Sequence, residues 1–139
     1  MKSPHRIRII TNNPLVKQIL SDYYTVEYYE ITYREILVKV RDLVYANYEL
    51  LTHPMAGSVK PNETPYKSLV VGTEPKEFNM EHCDLMMNAM ITFDKFRVLD
   101  RHYSDYHLQD FQLIDYTLLC GALDFDAIAQ RSMNTRPAL

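Results

Sequence analysis

The chain has 139 residues, of which 47% are hydrophobic, and a formal net charge of −3 at neutral pH. This length suits a single domain spanning residues 1–139, which can bury a core without disulfides or structural metals. The weakly acidic balance gives no basic field for gripping a phosphate backbone, so we expect no nucleic-acid partner. No apolar run approaches the roughly 20 residues of a membrane span, and the start of the chain lacks the apolar stretch of a signal peptide. We therefore expect a soluble cytoplasmic protein with no membrane partner.

The first half of the chain alternates between strand and helix patterns. β-Branched residues predict the strands, and apolar residues at spacings of three and four predict the helices. Asn13 before Pro14 is a helix start, and Thr32 with Glu35 three positions later is a capping box. The predicted elements are a strand at 6–11, a helix at 14–21, a strand at 25–30, a helix from 33 to about 44, and strands at 48–52 and 67–72.

The second half is predicted to be helical. One helix begins at Met80, and a last one spans about 106–123, followed by a tail from about Arg131 that is predicted to be frayed. The first of these carries a stripe of core residues, and the last helix carries another. In the helix that begins at Met80, the predicted core residues are Cys83, Met86, Met87, Met90 and Phe93. In the helix at about 106–123, they are Leu108, Phe111, Ile114, Leu118, Leu119 and Ala122.

These elements predict a small three-layer α/β sandwich with helices on both faces of a mostly parallel four-stranded sheet in the order 2-1-3-4. The direction of the fourth strand stays open, because the segment before it shows no crossover helix. Ligands of open α/β sheets bind beyond the carboxyl ends of strands where the winding direction reverses. Asn12 and His53 fall at this position, and a crevice is expected there with the fourth strand in either direction.

Residues 52–68 form the most distinctive segment, a long connection in which prolines alternate with polar side chains. Connections of this length are uncommon in compact domains and are often functional. Prolines stiffen the backbone, so we interpret the segment as a preorganised recognition loop. Together with the first strand's end it predicts a site for a small anionic ligand. The predicted ligand-binding residues are Asn12, Asn13, His53, Ser58, Lys60, Asn62, Glu63, Thr64, Tyr66 and Lys67.

Other chemistries have little support. The chain has three glycines and no Gly-rich phosphate loop, so no nucleotide cofactor is expected. Cys83 and Cys120 show no pair spacing, and His102 and His107 do not share a helical face, so no metal is expected. His53 with Glu63 would allow acid-base catalysis near neutral pH. We favour a ligand-binding or structural role for His53 and a non-enzymatic protein.

Several motifs together resemble the GrdX family. They are Ile9-Ile10-Thr11-Asn12-Asn13-Pro14, Val40-Arg41-Asp42, Leu51-Thr52-His53-Pro54, the segment from Gly57 to Ser68 and, more loosely, Asp110-Phe111-Gln112-Leu113-Ile114-Asp115. That family is associated with the glycine, sarcosine and betaine reductase systems of anaerobic bacteria. The resemblance implies an accessory role in such a system, with reductase components as partners, and it assigns no catalytic residues.

Three functions are therefore compared. The first is an accessory protein that binds a small anionic ligand at the recognition loop. The second is a protein–protein interaction module that docks on a reductase component or on itself. For self-association, tyrosines around the second strand, such as Tyr23, Tyr28 and Tyr29, suggest a homodimer edge. The third is an enzyme that uses His53 and Glu63.

Overall fold

The computed structural model describes residues 6–55, 63–96 and 104–134, with side chains described as far as Leu123 in the last helix. In chain order the elements are β1 (Ile7–Thr11), α1 (Pro14–Leu20), β2 (Thr25–Tyr28), α2 (Tyr33–Tyr45), β3 (Tyr48–Leu50), β4 (Ser68–Pro75), α3 (Met80–Lys95) and α4 (Asp105–Asn134). The predicted strands and helices are all present. However, α4 continues past its predicted end at Leu123 and includes the first residues of the predicted tail.

Local capping explains where two of the helices begin and where one ends. The Asn13 side chain accepts a hydrogen bond of 3.0 Å from the backbone N–H of Leu15 at the start of α1. The capping box of α2 is reciprocal, with Thr32 and Glu35 each accepting a 3.1 Å bond from the other's backbone N–H. Beyond α2, Asn47 adopts a left-handed conformation with φ of 74°, which ends the helix.

The sheet is mixed, and its order corrects the sequence prediction. The strand order is β2-β1-β4-β3, with β1 and β2 parallel and β4 antiparallel to both β1 and β3. The predicted order 2-1-3-4 and mostly parallel pairing are therefore wrong for β4. The reason is burial: residues 68–72 are buried on both sides of the sheet, whereas β3 has only three residues and is partly exposed. The long apolar strand takes a central place, and its antiparallel pairing needs no crossover helix.

Helices pack on both faces of this sheet, as expected. The α2 and α3 face buries Ile10, Leu69 and Val71, and the α1 and α4 face buries Ile9 and Val70. On the first face the rings of Tyr33 and Phe93 stack with centroids 5.3 Å apart. Successive side chains of β1 and β4 thus point to opposite faces of the sheet, as the period of two in a strand requires.

The helical stripes are only partly as predicted. Met86, Met90 and Phe93 are buried, but Met87 is 42% exposed because it lies beside the buried stripe of α3. In α4, Leu119 is buried while Ile114 and Leu118 are substantially exposed. No helix in the described part of the chain combines the length and apolar composition that a membrane crossing requires.

The topology brings the ends of three strands together at one edge of the sheet. Because β1, β2 and β3 run in one direction and β4 runs in the other, the carboxyl ends of β1 and β3 lie beside the amino end of β4. This edge therefore collects Asn12, Thr52 and Lys67. The predicted crevice is present, but β4 forms its centre.

Candidate functional site

A small pocket opens at this edge, between the strand ends and one face of α4. Its volume is about 60 Å³, enough for a few water molecules or one small polar ligand. The polar side of the pocket comes from the strand ends and the recognition loop, and α4 adds an apolar wall with one carboxyl group. The lining residues are Tyr33, Thr52, His53, Thr64, Tyr66, Lys67, Ser68, Ile114, Asp115, Leu118, Leu119 and Ala122.

Lys67 is the principal cation of the pocket. Lys67 is buried, and its ammonium nitrogen lies 5.5 Å from the centroid of the Tyr33 ring. Within the described residues this nitrogen makes no hydrogen bond or ion pair. Burial lowers the pKa of Lys67 from 10.5 to about 8, although the carboxyl group of Asp115 acts in the opposite direction. Buried lysines are normally paired with a group of opposite charge. An anionic ligand in the pocket could therefore pair with the ammonium group of Lys67.

Asp115 is the opposing carboxyl group, contributed by α4. Burial raises its pKa above the usual 3.8, and the hydrogen bonds from Ser68 and Asn13 and the charge of Lys67 offset part of that rise. Its Oδ2 atom accepts bonds from Ser68 Oγ at 2.6 Å and from Asn13 Nδ2 at 3.0 Å. The pocket therefore combines a lysine that is easily deprotonated with an aspartic acid that retains its proton more readily.

A buried polar network holds these groups in place. Thr11 Oγ1 lies 2.7 Å from Ser68 Oγ and accepts a 2.9 Å bond from the backbone N–H of Asn13. The Asn13 amide also donates a 2.9 Å bond to the carbonyl oxygen of Gln112 in α4. These bonds fix α4 against the ends of β1 and β4, and so they set the position of Asp115 relative to Lys67.

Asn12 holds the end of the recognition loop in place through side-chain hydrogen bonds. Its amide donates to the carbonyl oxygens of Ile31 and Pro65 at 2.9 and 2.8 Å, and its Oδ1 accepts a 2.8 Å bond from the backbone N–H of Lys67. Tyr66 is fixed from the other side, because its hydroxyl accepts a 2.9 Å bond from the side chain of Gln112. The loop thus enters β4 in a defined conformation.

The predicted ligand-binding residues divide into three groups. His53, Thr64, Tyr66 and Lys67 line the pocket. Asn12 and Asn13 are buried behind it and bond to the protein itself, and Glu63 is described but does not line the pocket. The remaining predicted residues lie outside the described part of the chain and stay predictions: Ser58, Lys60 and Asn62.

Two details of the predicted site chemistry change. The start of α1 offers few free N–H groups to an anion, because those of Asn13 and Leu15 donate to the side chains of Thr11 and Asn13. His53 is exposed, and its Nδ1 accepts a 3.1 Å bond from the backbone N–H of Met55. Only the other ring nitrogen of His53 is left to face a ligand.

Four polar residues that line the pocket are not among the predicted ligand-binding residues: Tyr33, Thr52, Ser68 and Asp115. Thr52 was placed at the end of a strand, where its hydroxyl accepts a 3.0 Å bond from the backbone N–H of Val70. Asp115 had a signal, since it is an acidic residue among the apolar side chains of α4. Neither its partners nor its burial follow from that signal, because Ser68 is 47 positions away.

A metal centre finds no support in the described ranges, where no group of three or more His, Cys, Asp or Glu side chains is placed to hold an ion. Cys83 is buried and Cys120 is partly buried, and both are free thiols. The site can therefore offer a cation, a protonatable carboxyl group and several hydroxyl groups.

The fold and the pocket define a small α/β protein with a mixed four-stranded sheet and a pocket at the strand ends that is lined by a buried lysine and a partly buried aspartic acid. The family model described as GrdX-like protein matches residues 8–124. The chain therefore belongs to the GrdX-like protein family, which confirms the resemblance seen in its motifs. No curated protein and no solved structure gave a significant match.

Proposed function

We propose that this GrdX-like protein binds a small anionic metabolite, a carboxylate or a phosphate, in the pocket at the strand ends. The observation that carries the proposal is the buried ammonium group of Lys67, which has no hydrogen bond or ion pair among the described residues. An anion beside Lys67 would supply the missing partner and would favour its protonated form.

The other pocket groups suit the same ligand. Burial raises the pKa of Asp115, which reduces the repulsion between this carboxyl group and an anion and, when the group is protonated, would let it donate a hydrogen bond to a carboxylate. Thr64 and Tyr66 line the pocket and carry hydroxyl groups that would hydrogen-bond such a ligand, while Ile114 and Leu118 offer an apolar wall to a short carbon chain. The volume of about 60 Å³ accommodates a ligand of a few heavy atoms.

Thermal unfolding with a panel of anions tests this function. Acetate, glyoxylate, pyruvate and phosphate are added at pH 7, and one that is present at 100 times its dissociation constant adds about 2.7 kcal/mol of stability. We expect a rise in Tm of several degrees with at least one of them. Lys67→Met is expected to abolish the rise, and Lys39→Met, which removes an exposed lysine beside Tyr29, is expected to preserve it.

A wild-type Tm that none of these anions raises contradicts the proposed function. The same conclusion follows if a rise persists unchanged in a folded Lys67→Met variant. Each variant's own Tm without ligand serves as its baseline.

A second candidate function is docking on another protein, and a group of exposed apolar side chains favours it. Tyr45, Phe78, Met80 and Met87 are each more than 40% exposed and surround one hollow beside Cys83. Exposed apolar groups that cluster mark interaction surfaces more often than scattered ones do. The family resemblance makes a component of a glycine, sarcosine or betaine reductase system the partner to test, in the cytoplasm of an anaerobic bacterium.

Co-purification under anaerobic conditions tests the docking function. The wild-type protein is expected to retain a purified reductase component, and Phe78→Asp with Met80→Asp is expected to lose it. Equal retention by the double variant would contradict this surface, and a change in its sedimentation would instead indicate self-association.

A further inference from the structure

Lys67 has the surroundings of a nucleophilic lysine. Its amino group lies over the Tyr33 ring, both residues line the pocket, and no described residue bonds to that nitrogen. A lysine acts as a nucleophile when an apolar, desolvated site favours its neutral form. Because the pKa of Lys67 falls to about 8, roughly a tenth of the chains carry the neutral amine at pH 7.

The same pocket also contains an acid. Asp115 is held there by Ser68 and Asn13, and its raised pKa means that it keeps its proton more readily than an exposed carboxyl group does. An amine and a carboxyl group that can donate a proton, in one pocket, are what reversible condensation with a carbonyl compound needs. No metal or electron transfer takes part in such a step.

We propose that Lys67 condenses with the carbonyl group of a small 2-oxo acid in this pocket to form a covalent imine. The inference rests on the proposed function, since the ligand must first bind beside Lys67 as an anion. It names the ligand class as glyoxylate-like or pyruvate-like compounds, which fit a cavity of about 60 Å³.

The step balances in atoms and protons. The lone pair of Lys67 Nζ attacks the carbonyl carbon, and a proton moves from the nitrogen to the oxygen, which gives a carbinolamine. Asp115 then protonates the hydroxyl group, the C–O bond breaks and water leaves as the C=N bond forms. The protonated imine keeps a positive charge beside the ligand's carboxylate, and hydrolysis reverses the sequence.

Reductive trapping tests the imine. The protein is incubated with glyoxylate or with pyruvate, sodium borohydride is added, and intact mass is measured, followed by peptide mapping. The expected result is one reduced adduct per chain, located at Lys67.

Two substitutions make the result specific. Lys67→Arg keeps a positive charge in the pocket but has no amine that condenses, so its adduct is expected to be lost. Lys39→Arg is the matched control, because Lys39 also lies over a tyrosine ring but is exposed, and its adduct yield is expected to equal that of the wild type. Lys67→Met replaces Lys67→Arg if circular dichroism shows that the arginine variant does not fold.

The imine and the proposed function fail in different ways. If glyoxylate or pyruvate raises the Tm of the wild type but borohydride traps no adduct at Lys67, the imine is wrong and anion binding stands. An adduct that persists in the Lys67→Arg variant also overturns the imine. If no anion raises the Tm and no adduct forms, both proposals are wrong.

Discussion

At the residue scale, Lys67 destabilises the folded protein at neutral pH. Its pKa is about 8 in the folded state and 10.5 as an unperturbed side chain. That difference corresponds to a cost of about 3 kcal/mol for keeping the charge in the pocket at pH 7. Between pH 8 and 10.5 the unfolded chain binds more protons at this position than the folded chain, so stability should increase with pH across this range.

Lys67→Met should therefore raise the free energy of unfolding at pH 7 by about 1–3 kcal/mol. The gain should shrink between pH 8 and pH 10.5, because the folded wild type carries the lysine uncharged in this range and the cost of removing its proton falls as the pH approaches 10.5. Urea unfolding at a series of pH values measures this, with Lys39→Met as the control that changes stability by less than about 0.5 kcal/mol. A difference between wild type and Lys67→Met that does not vary with pH would contradict the buried charge.

Asn12 contributes structure where the sequence suggested ligand binding. Its side chain bonds to Ile31, Pro65 and Lys67, so Asn12→Ala should destabilise the protein by about 2–3 kcal/mol and loosen the loop. Urea unfolding measures the loss. Asn88→Ala removes an exposed amide from α3 and is expected to leave stability nearly unchanged. Equal effects of the two substitutions would show that the bonds of Asn12 contribute little.

At the element scale, the helix starts and strand positions could be predicted because their signals are local. Asn13 with Pro14, and Thr32 with Glu35, act within a few residues of themselves. The place of β4 could not be predicted in the same way, because its pairing with β1 joins residues about sixty positions apart. The clue in the sequence is the run of three apolar residues Leu69, Val70 and Val71, since central strands have apolar residues on both faces. All three are buried in the structure.

The capping box of α2 gives a test at this scale. Thr32→Ala should lower the free energy of unfolding by about 1 kcal/mol, because the backbone N–H of Glu35 loses its acceptor at an exposed helix end. Glu35→Gln preserves the reciprocal bond to Thr32 and should cost less. Denaturant unfolding compares the two variants, and a larger loss in Glu35→Gln would contradict this account of the helix start.

At the scale of the whole molecule, the pocket exists because distant segments meet at one edge of the sheet. The loop supplies Lys67, β4 supplies Ser68 and α4 supplies Asp115, and only the first of these was predicted as a ligand residue. The sequence predicts that a crevice forms beyond the carboxyl ends of the strands, but it does not predict which helix covers that edge of the sheet. Asn13, expected to face a ligand, instead bonds to Gln112 and Asp115 and holds α4 there.

The most direct test is to record amide chemical shifts of ¹⁵N-labelled protein by NMR while glyoxylate, pyruvate, acetate or phosphate is added at pH 7. We expect concentration-dependent shifts with at least one of these anions, centred on Thr52, Lys67, Ser68 and Asp115. The same titration of Lys67→Met should show no such shifts, and Lys39→Met should behave like the wild type. Shifts confined to surfaces away from these residues, or no shifts with any of the anions, would contradict a ligand site at Lys67.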